Sequence, residues 1–224
     1  MYPPHISPLF ENRFDAGRQL AARLAEYKDQ PVVVLAIPNG GVPIAAEIAK
    51  ALDAELDVVI VRKLPMPLYP EAGLGALADD GSLIMNDELI RREGLTQEQI
   101  NEQVAKVTGQ IRQRSLLYRK DRRLVSLRGK SAIIVDDGLA SGYTMLAAVE
   151  SVKRRRAKEI VVAVPAASAI ALEKVEKVAR VVTLTKGTGS RFAVADYYRR
   201  WYDVPDKEVT KILEDRETKH LRPA

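Results

Sequence analysis

The stretch SAIIVDDGLASGYTM, residues 131–145, joins an apolar run to two adjacent carboxylates and a turn of small residues. The run 132–135 is short and rich in β-branched residues, which is typical of a buried parallel strand. Residues 144–149 resume the apolar pattern at helical spacing, so 138–143 is predicted to be a strand-to-helix turn. Open α/β sheets bind ligands at this end of a strand, where turn amides can surround an anion. Asp136 and Asp137 are therefore expected beside an anion site.

The composition indicates a chain with one substantial hydrophobic core. It has 224 residues, of which 46% are hydrophobic, and it contains no cysteine. The absence of cysteine excludes a disulfide framework and thiol chemistry, and it fits a cytoplasmic location. The start MYPPHISPLF has no basic segment followed by an apolar one, so no signal peptide is expected. The longest apolar run, 160–172, is interrupted by Pro165 and is too short to cross a bilayer, so no membrane association is expected.

The net charge of +5 is concentrated in two places, 111–130 and 153–156. Solvated helix faces with cations near helix C-termini explain such runs without any partner. The alternatives are attraction of an anionic substrate or of a nucleic acid. Aromatic residues do not alternate with these cations in a stacking pattern, which argues against a nucleic-acid partner.

Strands and helices alternate along most of the chain, which predicts an α/β fold with a mostly parallel sheet flanked by helices. Asn12 is expected to cap a helix reaching about Tyr27, and Thr96 with Gln99 forms a capping box for a helix reaching about Arg123. The other predicted strands are 31–38, 56–61, 160–164 and 181–184, and the other predicted helices are 43–52, 142–155, 168–179 and a short closing helix capped by Asp206.

One domain, 1–224, is the expected organisation. Its core is expected at about 12–63 and 130–185, with an insertion at about 64–129 and a C-terminal hood at about 186–224. The insertion begins with 64–81, which carries three prolines and three glycines and is predicted to be a long loop or an irregular hairpin. Its helix is expected to pack Ile100, Val104, Val107 and Ile111 on the core or on a second subunit, with Arg112, Arg119, Arg122 and Arg123 solvated.

A strand followed by two aspartates is not specific by itself. It occurs in metal-dependent hydrolases, in receiver domains and at ordinary strand ends. The glycine spacing here differs from the dinucleotide fingerprint, and no lysine follows the second glycine as in a P-loop.

Taken whole, residues 132–144 resemble the phosphoribosyl pyrophosphate (PRPP) motif of type I phosphoribosyltransferases. That motif is an apolar strand, two acidic residues, a turn of small residues, then Ser/Thr-Gly and a threonine. A second loop, Asn39-Gly40-Gly41, stands where the family has an x-Gly-Gly loop after its first strand. With VRK at 61–63 and the late aromatic segment AV…YY…V at 193–204, the resemblance covers nearly the whole chain. The chain is similar to a less-characterised group described as predicted phosphoribosyltransferases, and this resemblance implies a Rossmann-like core.

The resemblance also implies roles for individual residues. Asp136 and Asp137 would be the catalytic pair that binds the ribose hydroxyls, and Mg²⁺ would be held mainly by PRPP and water, with these two carboxylates as candidate ligands. The 5-phosphate would bind the turn, which comprises Gly138, Leu139, Ala140, Ser141, Gly142, Tyr143 and Thr144. Pyrophosphate would bind Asn39, Gly40 and Gly41, together with Arg62 and Lys63 at the end of the next strand.

The acceptor is expected between the two irregular segments, 64–81 and 187–204. Candidates to stack on a base are Phe192, Tyr197 and Trp201; core packing is the alternative for each. Purine-specific relatives commonly carry an acid at the position of Ala140, so purine salvage loses support here.

The function that the resemblance implies is phosphoribosyl transfer from PRPP to a nucleobase or similar nitrogen acceptor, or the reverse reaction. The main alternative is a regulatory protein of the same fold that senses PRPP or a nucleotide and binds nucleic acid. An unrelated α/β hydrolase or phosphatase is a third interpretation. A homodimer is a candidate assembly.

Overall fold

The computed structural model describes residues 8–67, 69, 73–120, 124–187 and 192–220, apart from the side chains of 217–220. In chain order its elements are α1 (Arg13–Arg23), β1 (Val32–Ala36), α2 (Gly41–Leu52), β2 (Glu55–Val58), β3 (Val61–Pro65), β4 (Gly73–Ala78), β5 (Leu83–Met85), α3 (Asp87–Glu93), α4 (Gln97–Arg119), β6 (Ser131–Val135), α5 (Tyr143–Arg154), β7 (Glu159–Ser168), α6 (Ala169–Glu176), β8 (Arg180–Gly187) and α7 (Asp206–His220).

The central sheet has five parallel strands in the order β2-β1-β6-β7-β8. Alternate residues of each inner strand enter two separate cores. Val32 and Val34 of β1 face the layer of α1, α2 and α7, whereas Val33 and Leu35 face α5 and α6. Burial on both faces explains why these strands are apolar without interruption. The predicted α/β fold with a mostly parallel sheet is confirmed.

Strand order reverses between β1 and β6, which are adjacent in the sheet although nearly a hundred residues separate them. Their register pairs Ala36 with Val135, so both strands end at the same level. The Ile37 amide extends the ladder by donating to the Val135 carbonyl at 2.8 Å. The loops that follow the two strands must therefore lie side by side, at the place where such sheets bind ligands.

The prediction of one strand over 56–61 is wrong. The chain forms two strands there, because β2 pairs in parallel with β1 while β3 pairs with β4 in a separate antiparallel sheet of order β3-β4-β5. For 64–81, the described residues fit the irregular hairpin that was one of the two expectations, with a register shift at Leu64/Pro65.

The long helix α4 begins at the predicted capping box of Thr96 and Gln99, and both hydrogen bonds of the box are present. Val107 and Ile111 are buried as expected, and Val104 packs partly against the same core. Arg112 is exposed as predicted. The expectation that Arg119 is solvated is wrong, since it forms an ion pair with Asp79 and is only 16% exposed. Arg122 and Arg123 lie outside the described residues.

The ends of α1 and α7 differ from the predictions. Asn12 caps α1 through the Asp15 amide, as expected, but α1 ends at Arg23 and a 3₁₀ turn follows at Ala25–Tyr27. The closing helix α7 is longer than expected and begins at Asp206 itself. Within the described ranges, no helix is both long enough and apolar enough to cross a membrane.

Candidate active site

Two loops meet where the strand order reverses. The turn after β6 and the loop after β1 are so close that side chains would not fit between them. A Cβ on Gly40 would lie 1.9 Å from Asp137 Oδ2, and one on Gly41 would lie 2.5 Å from the Val135 carbonyl oxygen. Glycine at both positions is therefore a packing requirement of this junction.

The turn of residues 138–144 leads into the N-terminus of α5. Gly142 has φ +87° and occupies the N-cap, a conformation that glycine adopts at little cost. The Leu139 amide donates to the Ala166 carbonyl at 2.9 Å, and Leu139 is buried. The Leu139 amide is thus already bonded within the protein, and the turn amides after it lie at the helix N-terminus, where an anion is favoured.

A cavity of about 410 Å³ lies over this turn. Its walls are Lys63 and Gly73 from the small sheet, Asn86 and Leu89 around the start of α3, Asp136, and residues 138–145. Of the predicted phosphate-binding residues, Ser141 is exposed, and the ring of Tyr143 packs 4.4 Å from the Lys174 ammonium.

A second cavity, of about 390 Å³, lies beside the loop after β1. It is lined by 37–38, Gly40, 61–63, Thr144 and both aspartates. Lys63, Asp136 and Thr144 border both cavities, so the two spaces adjoin. The structure thereby brings together the predicted phosphate turn, the acidic pair, Gly40 and the pair Arg62-Lys63.

The basic pair at the start of β3 lies across the second cavity from the loop. Arg62 Nη2 donates to Gln110 Oε1 at 3.2 Å. Partial burial, followed by the nearby Arg114 charge, lowers the pKa of Arg62 from its usual value. Arg62 and Lys63 both border this cavity, and their two charges produce a positive potential suited to a polyanion.

Asn39 lies in the loop as predicted, but its side chain points away from the cavities. The peptide bond between Pro38 and Asn39 is cis. Asn39 Nδ2 donates to the Val204 carbonyl at 2.8 Å and to Asp206 Oδ1 at 2.9 Å, and its Oδ1 accepts from Arg114 at 2.5 Å. The Tyr118 hydroxyl lies 2.8 Å from Asn39 Oδ1 and donates to Asp206. This Asn39 network ties the loop to α4 and α7.

The two carboxylates of the acidic pair have different surroundings. Burial, and then the neighbouring Asp137 charge, raises the pKa of Asp136 well above its usual value. Burial also raises the pKa of Asp137, but the Arg13 guanidinium opposes that shift. Arg13 Nε and Nη2 both donate to Asp137 Oδ2, at 2.9 and 2.8 Å. Asp136 accepts from the Asp137 amide at 2.8 Å.

Sequence reasoning missed Arg13, and it also missed the contact that Tyr198 makes with the acidic pair. Tyr198 donates its hydroxyl hydrogen to the Asp137 carbonyl at 2.7 Å. A single arginine at the start of a helix and one tyrosine among several carry no signal in the sequence, because what distinguishes them is a contact with a residue that is distant along the chain.

The aromatic candidates for the acceptor pocket pack elsewhere. Phe192 and Tyr197 stack on each other, with ring centroids 5.3 Å apart, in a small core that also holds Phe10. The Trp201 ring lies over Arg13 at 3.9 Å. None of the three candidates lines either of the two cavities in the described part of the chain.

No cluster of three or more histidine, cysteine, aspartate or glutamate side chains suited to a metal occurs within the described ranges. A metal at the junction would accordingly need most of its ligands from a bound molecule and water, a set that Mg²⁺ accepts.

Comparison with known proteins gives a consistent result. The chain is 38% identical over 206 residues to "Putative phosphoribosyl transferase MT0597" of Mycobacterium tuberculosis strain CDC 1551 / Oshkosh, and equally to Rv0571c of strain ATCC 25618 / H37Rv. The match covers 92% of this chain but 46% of those proteins, so the chain spans about half the length of these curated relatives.

The crystal structure of TT1426 from Thermus thermophilus is also similar. It is 37% identical in sequence, with a TM-score of 0.76, and the match covers 92% of this chain and 98% of that one. The family model described as "Phosphoribosyl transferase domain" matches residues 7–197, which include both loops and the acidic pair. The chain belongs to the phosphoribosyl transferase domain family.

Proposed function

We propose that this domain transfers a phosphoribosyl group between PRPP and a nitrogen acceptor of the nucleobase class, with release of pyrophosphate, or catalyses the reverse. The observation that carries the proposal is the junction itself: a helix N-terminal turn, an acidic pair and a glycine loop beside two cations border two adjoining cavities. PRPP offers a complementary set of groups, namely a 5-phosphate, a cis-diol and a pyrophosphate.

Each part of PRPP has a chemically matched partner. The amides of the turn around Ser141 and Thr144 suit the 5-phosphate. The acidic pair supplies charged acceptors for the ribose hydroxyls, and such hydrogen bonds are about twice as strong as neutral ones. Gly40, with Arg62 and Lys63, borders the cavity in which the pyrophosphate would lie.

In the reaction, the bond between C1 and the pyrophosphate oxygen breaks, and its electron pair leaves with pyrophosphate. The acceptor nitrogen forms the new bond to C1 with its own electron pair and releases its proton to water. Charge develops on pyrophosphate as C1 becomes cationic, so fixed cations beside the leaving group stabilise the transition state more than the ground state. Arg62 and Lys63 are the described residues placed for that role.

Mg²⁺ fits the donor set, because Asp136 borders both cavities and phosphate oxygens would complete its coordination. When bound, the ion would neutralise charge on the pyrophosphate. The protein's part is to hold Asp136 in position through the Asp137 amide.

The acceptor is proposed only as a class. The position at which purine-specific relatives commonly carry an acid is Ala140, which is exposed here. No carboxylate at that position can take the proton of a purine, so acceptors that lose their proton without help are favoured.

The test is release of pyrophosphate from PRPP and Mg²⁺ with a panel of nucleobases and other nitrogen acceptors. One acceptor should give turnover that Asp136→Asn abolishes. Arg112→Gln, at an exposed position of α4, should leave turnover unchanged. Absence of turnover with every acceptor, alongside retained PRPP binding, would instead favour the regulatory alternative.

A further inference from the structure

Arg13 is a buried cation at the edge of the junction, contributed by the first residue of α1. Its side chain is 3% exposed. Its third nitrogen, Nη1, donates to the Tyr202 carbonyl at 2.7 Å, while Nε and Nη2 both bind Asp137 Oδ2. With Trp201 stacked on the guanidinium at 3.9 Å, Arg13 has partners on every side.

Asp137, like Arg13, is held in position by several contacts. Oδ2 receives both hydrogen bonds from Arg13 and lies so close to Gly40 that no Cβ fits there. The Asp137 carbonyl accepts from Tyr198. Contacts from α1, the loop after β1 and the aromatic segment thus fix both the backbone and the carboxylate of Asp137.

Asp136 has no cationic partner at ion-pair distance among the described residues. One of its oxygens accepts from the Asp137 amide, and the side chain borders both cavities, whereas Asp137 borders only one. Asp137 is therefore bound to Arg13, whereas Asp136 faces the space in which a ligand would lie.

We propose that Arg13 gives the two aspartates different roles. It holds Asp137 as its fixed counter-ion, and it leaves Asp136 as the carboxylate that binds the ribose hydroxyls of PRPP and the associated Mg²⁺. The proposal rests on the proposed function for the identity of the ligand. It departs from the expectation that both aspartates contact PRPP in the same way, and it makes Arg13 a positioning residue.

The physical reason is that two adjacent, partly buried carboxylates repel each other unless a cation lies beside one of them. Arg13 donates two hydrogen bonds to Asp137 Oδ2, so its charge is directed at that carboxylate. The carboxylate of Asp136 is left facing both cavities. Removing Arg13 would leave the repulsion between the two carboxylates unopposed and would free Asp137 from its fixed position.

The test is titration of Mg²⁺-PRPP binding by calorimetry for wild type, Arg13→Met, Asp136→Asn and the double variant Arg13→Met/Asp137→Asn. Arg13→Met should bind PRPP about tenfold or more weakly, the loss expected for one hydrogen bond to a charged group. The double variant should bind more tightly than Arg13→Met, because it removes the repulsion at Asp136 together with the arginine. A purely structural role for Arg13 predicts no such rescue.

The double variant should also bind more tightly than Asp136→Asn, a comparison that holds even where Arg13→Met alone does not fold. Equal loss of PRPP binding in the double variant and in Asp136→Asn would overturn the proposal, since Asp137 would then be a ligand itself. Arg18→Met, on an exposed face of α1, is the matched control and should bind PRPP like wild type.

Failure of the proposed function would be visible separately, as wild-type protein that does not bind PRPP. In that case, urea unfolding tests the pairing of Arg13 with Asp137 without any ligand. Arg13→Met should be less stable than the double variant, because it leaves Asp137 buried without its cation. A double variant no more stable than Arg13→Met would overturn the assignment of Asp137 as the counter-ion of Arg13.

Discussion

Asp136 is a residue at which function and stability oppose each other. Its raised pKa means that the folded state binds the proton more tightly than the unfolded state does. The resulting stability is fully present below the usual carboxyl pKa and is lost as the pH rises through the raised pKa. Above the usual carboxyl pKa, Asp136 therefore makes the fold progressively less stable as the pH rises.

Asp136→Asn should accordingly raise the melting temperature at neutral pH while it abolishes PRPP binding. Each kcal/mol gained corresponds to about 2–4 °C for a chain of this size. Thermal unfolding at mildly acidic and at neutral pH is the measurement, and the variant should gain more stability at the higher pH. Asp203→Asn, at an exposed position, is the control; a destabilised Asp136→Asn protein at neutral pH would contradict the argument.

Gly40 and Gly109 should respond in opposite ways to replacement by alanine. Gly40→Ala places a Cβ against a carboxylate that Arg13 holds, so the loop must shift and PRPP affinity should fall. Gly109→Ala, inside α4 with no atom within 4 Å of the added Cβ, should stabilise the protein by roughly 0.5–1 kcal/mol. Urea unfolding and PRPP titration of both variants distinguish the two effects. Wild-type PRPP affinity in Gly40→Ala would show that the loop does not contact the ligand.

Among the elements, the loop after β1 depends on two helices that are distant from it in the chain. Asn39 joins it to Tyr118 of α4 and to Asp206 at the start of α7. The Tyr118 hydrogen bond is the first cause of the lowered pKa of Asp206, and burial is the first cause of the raised pKa of Tyr118. The network therefore fixes Asp206 as a carboxylate and Tyr118 as a neutral donor.

Tyr118→Phe should destabilise the protein by about 1–3 kcal/mol. That is the range for losing a hydrogen bond to a charged group when the acceptor, here Asp206, is left without its donor. It should also weaken PRPP binding, because the loop loses one of its anchors. Tyr202→Phe removes an exposed hydroxyl that donates to Glu208, and should change stability by less than about 0.5 kcal/mol. Equal stability of Tyr118→Phe and wild type would show that the loop does not depend on α4.

The same elements show what the sequence could predict. The turn at 138–144 was predictable, since its glycines, acidic pair and strand-to-helix change are all local. The boundary between β2 and β3 was not, because Val59 and Ile60 are buried and apolar like the strands on either side. The chain changes sheets there only because β3 finds β4 as its partner. Arg13 was hidden for the same reason, since its role comes from long-range contacts.

In the protein as a whole, the two sheets must keep a fixed position relative to each other, because the cavities lie between them. Lys63 and Gly73 come from the small sheet, whereas Asp136 and the turn come from the central one. Arg119 of α4 connects the two sheets across the break between them. It forms an ion pair with Asp79, just after β4, and donates to the Val58 carbonyl at the end of β2.

Removing one partner of the Arg119–Asp79 ion pair should destabilise the protein more than replacing both partners. Arg119 and Asp79 are 16% and 11% exposed, and burial raises the pKa of Asp79 even with the arginine beside it. Arg119→Met should therefore cost about 3–5 kcal/mol, the range found when one partner of a buried pair is left alone. Arg119→Met/Asp79→Asn should recover part of that loss, because no uncompensated charge remains.

Urea unfolding of the two variants measures the difference, with Arg154→Met as the control. Arg154 is 55% exposed and lies 4.0 Å from Asp80, so its loss should cost no more than about 1 kcal/mol. PRPP titration adds a functional test: if the pair sets the position of one sheet against the other, Arg119→Met should weaken PRPP binding although Arg119 lines neither cavity. A variant that loses stability yet binds PRPP like wild type would show that α5, which packs against both β3 and β4, is sufficient to hold the small sheet in place.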